Sequence, residues 1–129
     1  MIIGTGVDLC EVERIEKALK AAHGPRLMER VFTRLESDYA LSKANRYERF
    51  AARFAAKEAG MKALGTGWRE GVGWLDLEVV NLSSGRPTLV LHCKAAEQAE
   101  KLGVTNISLS LTHTASTAIA MVILEGGSV

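Results

Sequence analysis

A helix-forming run in the middle of the chain constrains the fold more than any other feature. The sequence Phe-Ala-Ala-Lys-Glu-Ala-Gly-Met-Lys-Ala-Leu occupies residues 54–64, and a Gly-Thr-Gly stop follows it directly. These strong helix formers predict a helix over residues 47–64, and Gly65 is typical of the residue that ends a helix in a left-handed conformation. Residues four apart project from one helix face, so Glu58 and Lys62 are expected to lie side by side.

This carboxylate and ammonium have two interpretations. An ion pair at i,i+4 stabilises a helix by about 0.2–0.5 kcal/mol, and the spacing alone favours this simple role. Alternatively, Glu58 can bind a hard cation while Lys62 neutralises a phosphoryl oxygen. The neighbours on that face are Ala51 and Ala55, whose small side chains leave room for a ligand.

The remaining periodicities predict one α+β domain over residues 1–129, with a mostly antiparallel sheet packed against helices. Strand patterns occupy residues 1–9, 74–82, 88–93, 106–113 and 117–124. Further helical patterns occupy residues 11–22, 26–31, 35–43 and 95–102. The short Thr-Ala-Ser connection after residue 113 predicts that the last two strands form a hairpin.

Composition limits the partners. The chain has sixteen Lys and Arg and fifteen Asp and Glu, so it has no large net charge to attract a nucleic acid. Its aromatic content of 5% provides few side chains on which bases could stack, so nucleic-acid binding is not expected. Basic residues nevertheless outnumber acidic ones between Arg14 and Lys62, which suits an acidic or phosphorylated partner. No apolar run or leader pattern indicates a membrane, and Cys10 and Cys93 are isolated, so we expect reduced thiols and a cytoplasmic location.

Three polar residues are predicted at positions where a ligand can reach them. Asp8 follows the first strand and either caps the next helix or faces a ligand. Asp8 and Glu58 supply too few ligands to saturate a divalent ion, which suits Mg²⁺ because it retains waters and substrate phosphates. His113, at a strand end, is either a hydrogen-bonding turn residue or a catalyst, and the first role is the more common one. Basic residues on the helices form a solvated face, a docking surface for an acidic helix, or a clamp for a nucleotide phosphate. They lie in two groups: Arg14, Arg26 and Arg30, and separately Lys43, Arg46, Arg49 and Arg53.

Four motifs together resemble the small bacterial 4′-phosphopantetheinyl transferases, the holo-acyl-carrier-protein synthase family. They are Gly-Thr-Gly-Val-Asp ending at Asp8 with Arg14 after it, Phe-Ala-Ala-Lys-Glu-Ala at 54–59 with Lys62, Gly-Thr-Gly at 65–67, and Ser-Leu-Thr-His ending at His113. The resemblance extends over about residues 2–124. It departs from the family at residues 21–25, which look lengthened, and at Leu27, where a phenylalanine is expected.

The resemblance implies transfer of phosphopantetheine from coenzyme A to a serine of apo-acyl carrier protein, releasing adenosine 3′,5′-bisphosphate, for fatty acid biosynthesis. It implies that Asp8 and Glu58 hold Mg²⁺ with the pyrophosphate and that Lys62 lies near the phosphates. The implied coenzyme-pocket residues are Gly65, Thr66, Gly67 and His113, with Lys43, Arg46 and Arg53 for the 3′-phosphate. The implied carrier-protein docking residues are Arg14, Arg26 and Arg30. It also implies a homotrimer with active sites between subunits.

Glu58 is expected to accept the serine proton, directly or through a metal-bound water. Two other functions use the same residues. A non-catalytic coenzyme A or nucleotide-binding module needs no base at Glu58, and a metal-dependent phosphate-ester hydrolase passes the phosphoryl group to water.

Overall fold

The part of the chain that the structure describes runs as one strand, four helices, a pair of strands, a fifth helix and a last pair of strands. Its strand pairings are antiparallel, which confirms the predicted α+β class. The computed structural model describes residues 1–66 and 71–127. In these ranges the strands are β1 (Ile2–Glu11), β2 (Leu77–Asn81), β3 (Pro87–Leu91), β4 (Val104–His113) and β5 (Thr117–Gly126). The helices are α1 (Val12–Lys20), α2 (Gly24–Val31), α3 (Arg34–Leu41), α4 (Arg46–Leu64) and α5 (Cys93–Leu102).

The strands form two antiparallel sheets. One has the order β1-β5-β4, so the last strand pairs with the first, and the other is the β2-β3 hairpin. Met121 in the central strand β5 lies opposite Val7 on one side and Ser110 on the other. The predicted hairpin between β4 and β5 is confirmed, and α4 packs across the inner face of this three-stranded sheet.

Two glycines allow α4 to lie directly on β1. A Cβ atom built at Gly4 would be 2.1 Å from the carbonyl oxygen of Ala63, and one at Gly6 would be 1.9 Å from that of Ala59. A step of two residues along β1 covers about 6.8 Å, and a step of four residues along α4 covers about 6.0 Å. Because these lengths are similar, successive glycines of the strand meet successive turns of the helix. One further step along β1 is Asp8, which this register places on the face toward α4.

The opposite side of α4 contains a buried ion pair. Lys57 Nζ lies 2.7 Å from Glu36 Oε1, and both side chains are fully buried. Lys57 also donates to the carbonyls of Trp74 and Leu77, while Glu36 Oε2 accepts from the backbone N–H of Val79 at 2.8 Å. These hydrogen bonds join α3, α4 and β2, and they satisfy charges that would otherwise be costly to bury.

Several element boundaries differ from the predicted ones. The predicted strand at 74–82 begins only at Leu77, because residues 74–76 form a 3₁₀ turn in which the Asp76 carboxylate accepts from the Gly73 N–H. The helix predicted from residue 11 begins at Val12, because Glu11 still pairs with Thr117 in the sheet. The helix predicted from residue 26 begins at residue 24, where Pro25 in the first turn needs no N–H partner.

Within the described ranges, no helix is long and apolar enough to cross a membrane.

Candidate active site

Asp8 lies within β1 and is directed toward α4. Its Oδ1 accepts a hydrogen bond from Lys62 Nζ at 2.9 Å, and the same ammonium donates to the carbonyl of Val7 at 3.1 Å. The capping interpretation of Asp8 is wrong, because the cap position of α1 is Glu11. The simple ion pair within α4 is also wrong, because among the described residues Lys62 pairs with Asp8 rather than with Glu58. In the folded protein, Lys62 of α4 therefore binds β1 instead of a neighbour on its own helix.

Glu58 completes this group from α4. Burial raises the pKa of Glu58, and the negative charge of Asp8 raises it further, whereas Lys62 and Arg14 act in the opposite direction. The two carboxylates are thus close enough to repel each other, with two cationic side chains beside them. The predicted grouping of Asp8, Glu58 and Lys62 is present, and Arg14 of α1 lies near enough to act on Glu58 as well.

The donor set is suited to a magnesium ion. In the part of the chain that the structure describes, no three His, Cys, Asp or Glu side chains form a complete metal cage. Two repelling carboxylates are a fitting partial set for Mg²⁺, which takes one or two protein carboxylates and completes its octahedron with water and phosphate oxygens. Asp8 and Glu58 are therefore the residues that would hold the ion.

The glycine-rich segment begins at the C-terminus of α4. Gly65 has φ 76°, which confirms the predicted left-handed end of the helix. A Cβ at Gly65 would meet nothing within 4 Å, so the backbone conformation and not crowding explains this glycine. Thr66 is buried. Gly67, also predicted to line the coenzyme pocket, lies outside the described residues.

His113 belongs to a different part of the molecule. It ends β4, at the opposite edge of the three-stranded sheet from β1, two strand spacings or roughly 10 Å away. Its Nδ1 lies 2.9 Å from Glu48 Oε1, and both side chains are half-buried. Sequence reasoning missed Glu48, because nothing in its helical pattern shows that the first turn of α4 meets the end of β4.

The predicted basic residues separate into buried and exposed ones. Arg53 is buried against the ring of Tyr39, so the solvated-face interpretation is wrong for this residue. Lys43 is exposed, and its ammonium also lies over that ring. Arg46 is exposed in the first turn of α4. The predicted docking residues are exposed on α1 and α2; they are Arg14, Arg26 and Arg30.

Comparison with known proteins decides the family. Residues 4–122 match the family model described as the 4′-phosphopantetheinyl transferase superfamily. The chain belongs to this superfamily. A curated relative, the holo-[acyl-carrier-protein] synthase of Solibacter usitatus, is 60% identical over 97% of the chain and 99% of its own length. The Koribacter versatilis enzyme of the same name is 54% identical, with the same coverage. The family resemblance seen in the sequence is confirmed.

Solved structures of this enzyme family share the fold. The Neisseria meningitidis holo-[acyl-carrier-protein] synthase superposes with a TM-score of 0.87 at 30% identity, covering 97% of this chain and 99% of its own. The Bacillus anthracis enzyme, solved in complex with CoA (3′,5′-ADP), has a TM-score of 0.79 at 37% identity, with coverages of 98% and 99%. The Helicobacter pylori enzyme, solved with coenzyme A, has a TM-score of 0.81 at 28% identity, with coverages of 94% and 99%.

Proposed function

We propose that this protein transfers 4′-phosphopantetheine from coenzyme A to a serine of apo-acyl carrier protein, giving holo-acyl carrier protein and adenosine 3′,5′-bisphosphate. The observation that carries the proposal is the meeting of Asp8, Glu58 and Lys62 on adjoining faces of β1 and α4. In a chain of this superfamily, that group has the charges needed to hold a metal-bound pyrophosphate and accept a proton. The reaction supports fatty acid biosynthesis, and we expect it in the cytoplasm.

Asp8 and Glu58 would hold Mg²⁺, which supplies charge neutralisation for the pyrophosphate when bound. Lys62 is anchored by Asp8 and by the Val7 carbonyl, so its ammonium is held near the phosphates. The serine oxygen forms a bond to the phosphorus that carries pantetheine, and the bond from that phosphorus to the bridging oxygen breaks. Holding the serine in line with that bond supplies much of the rate enhancement.

Glu58 is the base in this proposal. Its carboxylate lies beside Asp8 and Lys62 at the proposed phosphate site, where it can accept the proton of an incoming hydroxyl. It takes the serine proton directly or through a water. The variant Glu58→Gln keeps the shape of the side chain and removes the base, so it should fold normally and lose most turnover. Wild-type turnover in that variant would remove Glu58 from the mechanism.

The acidic carrier protein is expected to dock on α1 and α2. Arg14, Arg26 and Arg30 are exposed there, and Arg14 is close enough to Glu58 to affect its pKa. A partner bound to this surface would therefore present its serine beside the proposed base. Charge complementarity of this kind speeds association and makes it sensitive to salt.

We further propose that the enzyme is a homotrimer. The outer face of the three-stranded sheet exposes Val7 by 58%, Leu9 by 56%, Met121 by 45% and Ile119 by 37%, an apolar patch suited to burial against another subunit. The Asp8 group and His113 occupy opposite edges of the sheet, and in the proposed trimer the His113 edge of one subunit would lie beside the Asp8 edge of the next. Sedimentation equilibrium should give three chains for the wild type and a smaller assembly for Met121→Asp.

Intact-mass spectrometry tests the reaction. Apo-acyl carrier protein is incubated with this protein, coenzyme A and Mg²⁺, with an EDTA control. The proposal expects a metal-dependent mass gain of one phosphopantetheine and release of adenosine 3′,5′-bisphosphate. Tight coenzyme A binding without a mass gain would indicate a binding module. Phosphate-ester cleavage without a mass gain would indicate a hydrolase.

A further inference from the structure

Three cationic side chains surround the ring of Tyr39 in α3. The guanidinium carbon of Arg53 lies 4.1 Å from the ring centroid, Lys43 Nζ lies 5.2 Å away and the guanidinium carbon of Arg49 lies 6.0 Å away. Arg49 also donates from a terminal nitrogen to the Tyr39 hydroxyl at 3.4 Å. Sequence reasoning did not give Tyr39 a role, and it grouped Arg49 with the basic residues without assigning it a ligand.

No carboxylate of the described residues forms an ion pair with this cation cluster; Glu36, which is paired with Lys57, acts on Arg53 only from beyond ion-pair distance. Across residues 1–66 and 71–127, none of the three cations forms an ion pair with a carboxylate; Arg49 Nε donates to Asn45 Oδ1 at 3.2 Å, a neutral partner. Arg53 is only 4% exposed, and its buried Nε has no hydrogen-bond partner. Like charges gathered in a partly buried place repel one another, so an anion with several oxygens would stabilise the arrangement.

We propose that Tyr39 is a positioning and specificity residue for the 3′-phosphate of coenzyme A, and that Arg49 joins Lys43 and Arg53 in binding that group. This inference rests on the proposed function. The ring holds the three cations around one point through their attraction to its face and hydroxyl. Arg46, grouped with Lys43 and Arg53 from the sequence, has no contact with the ring among the described residues, and Arg49 takes its place in the cluster.

The 3′-phosphate is the only difference between coenzyme A and dephospho-coenzyme A, so the ratio of their kcat/KM values measures this subsite. Tyr39→Leu removes the ring, and we expect the ratio to fall at least tenfold with little change in the rate with dephospho-coenzyme A. Tyr39→Phe keeps the ring and loses one hydroxyl contact, so a fall of two- to threefold is expected. Arg49→Ala should lower the ratio more than Arg46→Ala does.

Arg34→Ala is the matched control, because Arg34 is exposed on the same helix and its ion pair is with Asp38, at 3.7 Å, outside the cation cluster. Its ratio should equal that of the wild type. A purely structural role for Tyr39 would lower both rates together and leave the ratio unchanged. An unchanged ratio in both Tyr39→Leu and Arg49→Ala would overturn the inference while leaving the proposed transferase function intact.

Binding separates this inference from the transfer reaction. Isothermal titration of the full-length protein with adenosine 3′,5′-bisphosphate and with adenosine 5′-monophosphate requires no turnover. We expect tighter binding of the bisphosphate to the wild type, and loss of most of that difference in Tyr39→Leu and Arg49→Ala. Equal affinity of the wild type for the two nucleotides would refute the subsite, whatever the carrier-protein assay shows.

Discussion

One methyl group added at Gly6 is expected to damage both packing and catalysis. In Gly6→Ala the new Cβ would lie 1.9 Å from the carbonyl oxygen of Ala59, a backbone atom that no side-chain rotation can move. Side-chain Cβ atoms essentially never approach below 3.0 Å, so β1 and α4 must separate by at least the 1.1 Å between these two distances. Overpacking of this kind costs about 1–3 kcal/mol of folding free energy.

The same displacement reaches the proposed active site. Glu58 directly precedes Ala59 on α4, and Asp8 is two residues beyond Gly6 on β1, so the gap between the two carboxylates widens with the gap between the elements. A misplacement of about 1 Å in a catalytic group can lower the rate on the order of 100-fold. We therefore expect turnover to fall far more than the loss of folded protein explains.

Urea denaturation gives the free energy of unfolding, and carrier-protein modification at a temperature where the variant is folded gives kcat. Gly73→Ala is the control, because it makes the same chemical change where a Cβ meets nothing within 4 Å and φ is −118°. That control should match or slightly exceed wild-type stability. If Gly6→Ala shows wild-type unfolding and wild-type kcat, the close approach of α4 to β1 does not set the carboxylate geometry.

Three further perturbations test other parts of the structure. Lys57→Met leaves the Glu36 carboxylate buried and unpaired, so the free energy of unfolding should fall by about 3–5 kcal/mol in urea titrations; a loss below 1 kcal/mol would contradict the buried pair. Arg14→Glu should raise KM for the carrier protein and weaken its salt dependence, while an unchanged KM would exclude docking on α1. Burial raises the pKa of Cys10 from 9.0 to about 11, so the folded protein holds the thiol proton more tightly than the unfolded chain does. The resulting stabilisation is complete below pH 9 and is lost as the pH rises through 11. Wild type should therefore lose more stability between pH 8 and pH 10.5 than Cys10→Ala does, and iodoacetamide should label exposed Cys93 before buried Cys10.

The long helix and the last hairpin could be predicted because each depends on local periodicity. Alternation of apolar and hydroxyl side chains along β4 specifies which face is buried, and Gly65 specifies where α4 ends. The 3₁₀ turn before β2 could not be predicted in this way. Apolar residues at 74–82 fit a strand pattern, but Lys57 donates hydrogen bonds to two backbone carbonyls of this segment. The two acceptors, Trp74 and Leu77, are 17 and 20 residues away in the sequence.

The sequence by itself determined the α+β class, the family and the grouping of Asp8 with Glu58, because helical spacing, strand alternation and motif order are properties of short segments. Tertiary structure decided the partner of each charge. Lys62 pairs with Asp8 across 54 residues, and His113 contacts Glu48 across 65. Such partners depend on how a strand and a helix approach each other, which here depends on two glycines allowing backbone contact. The separation between β1 and α4 cannot be read from local sequence patterns, so the geometry of the site is set only when the chain folds.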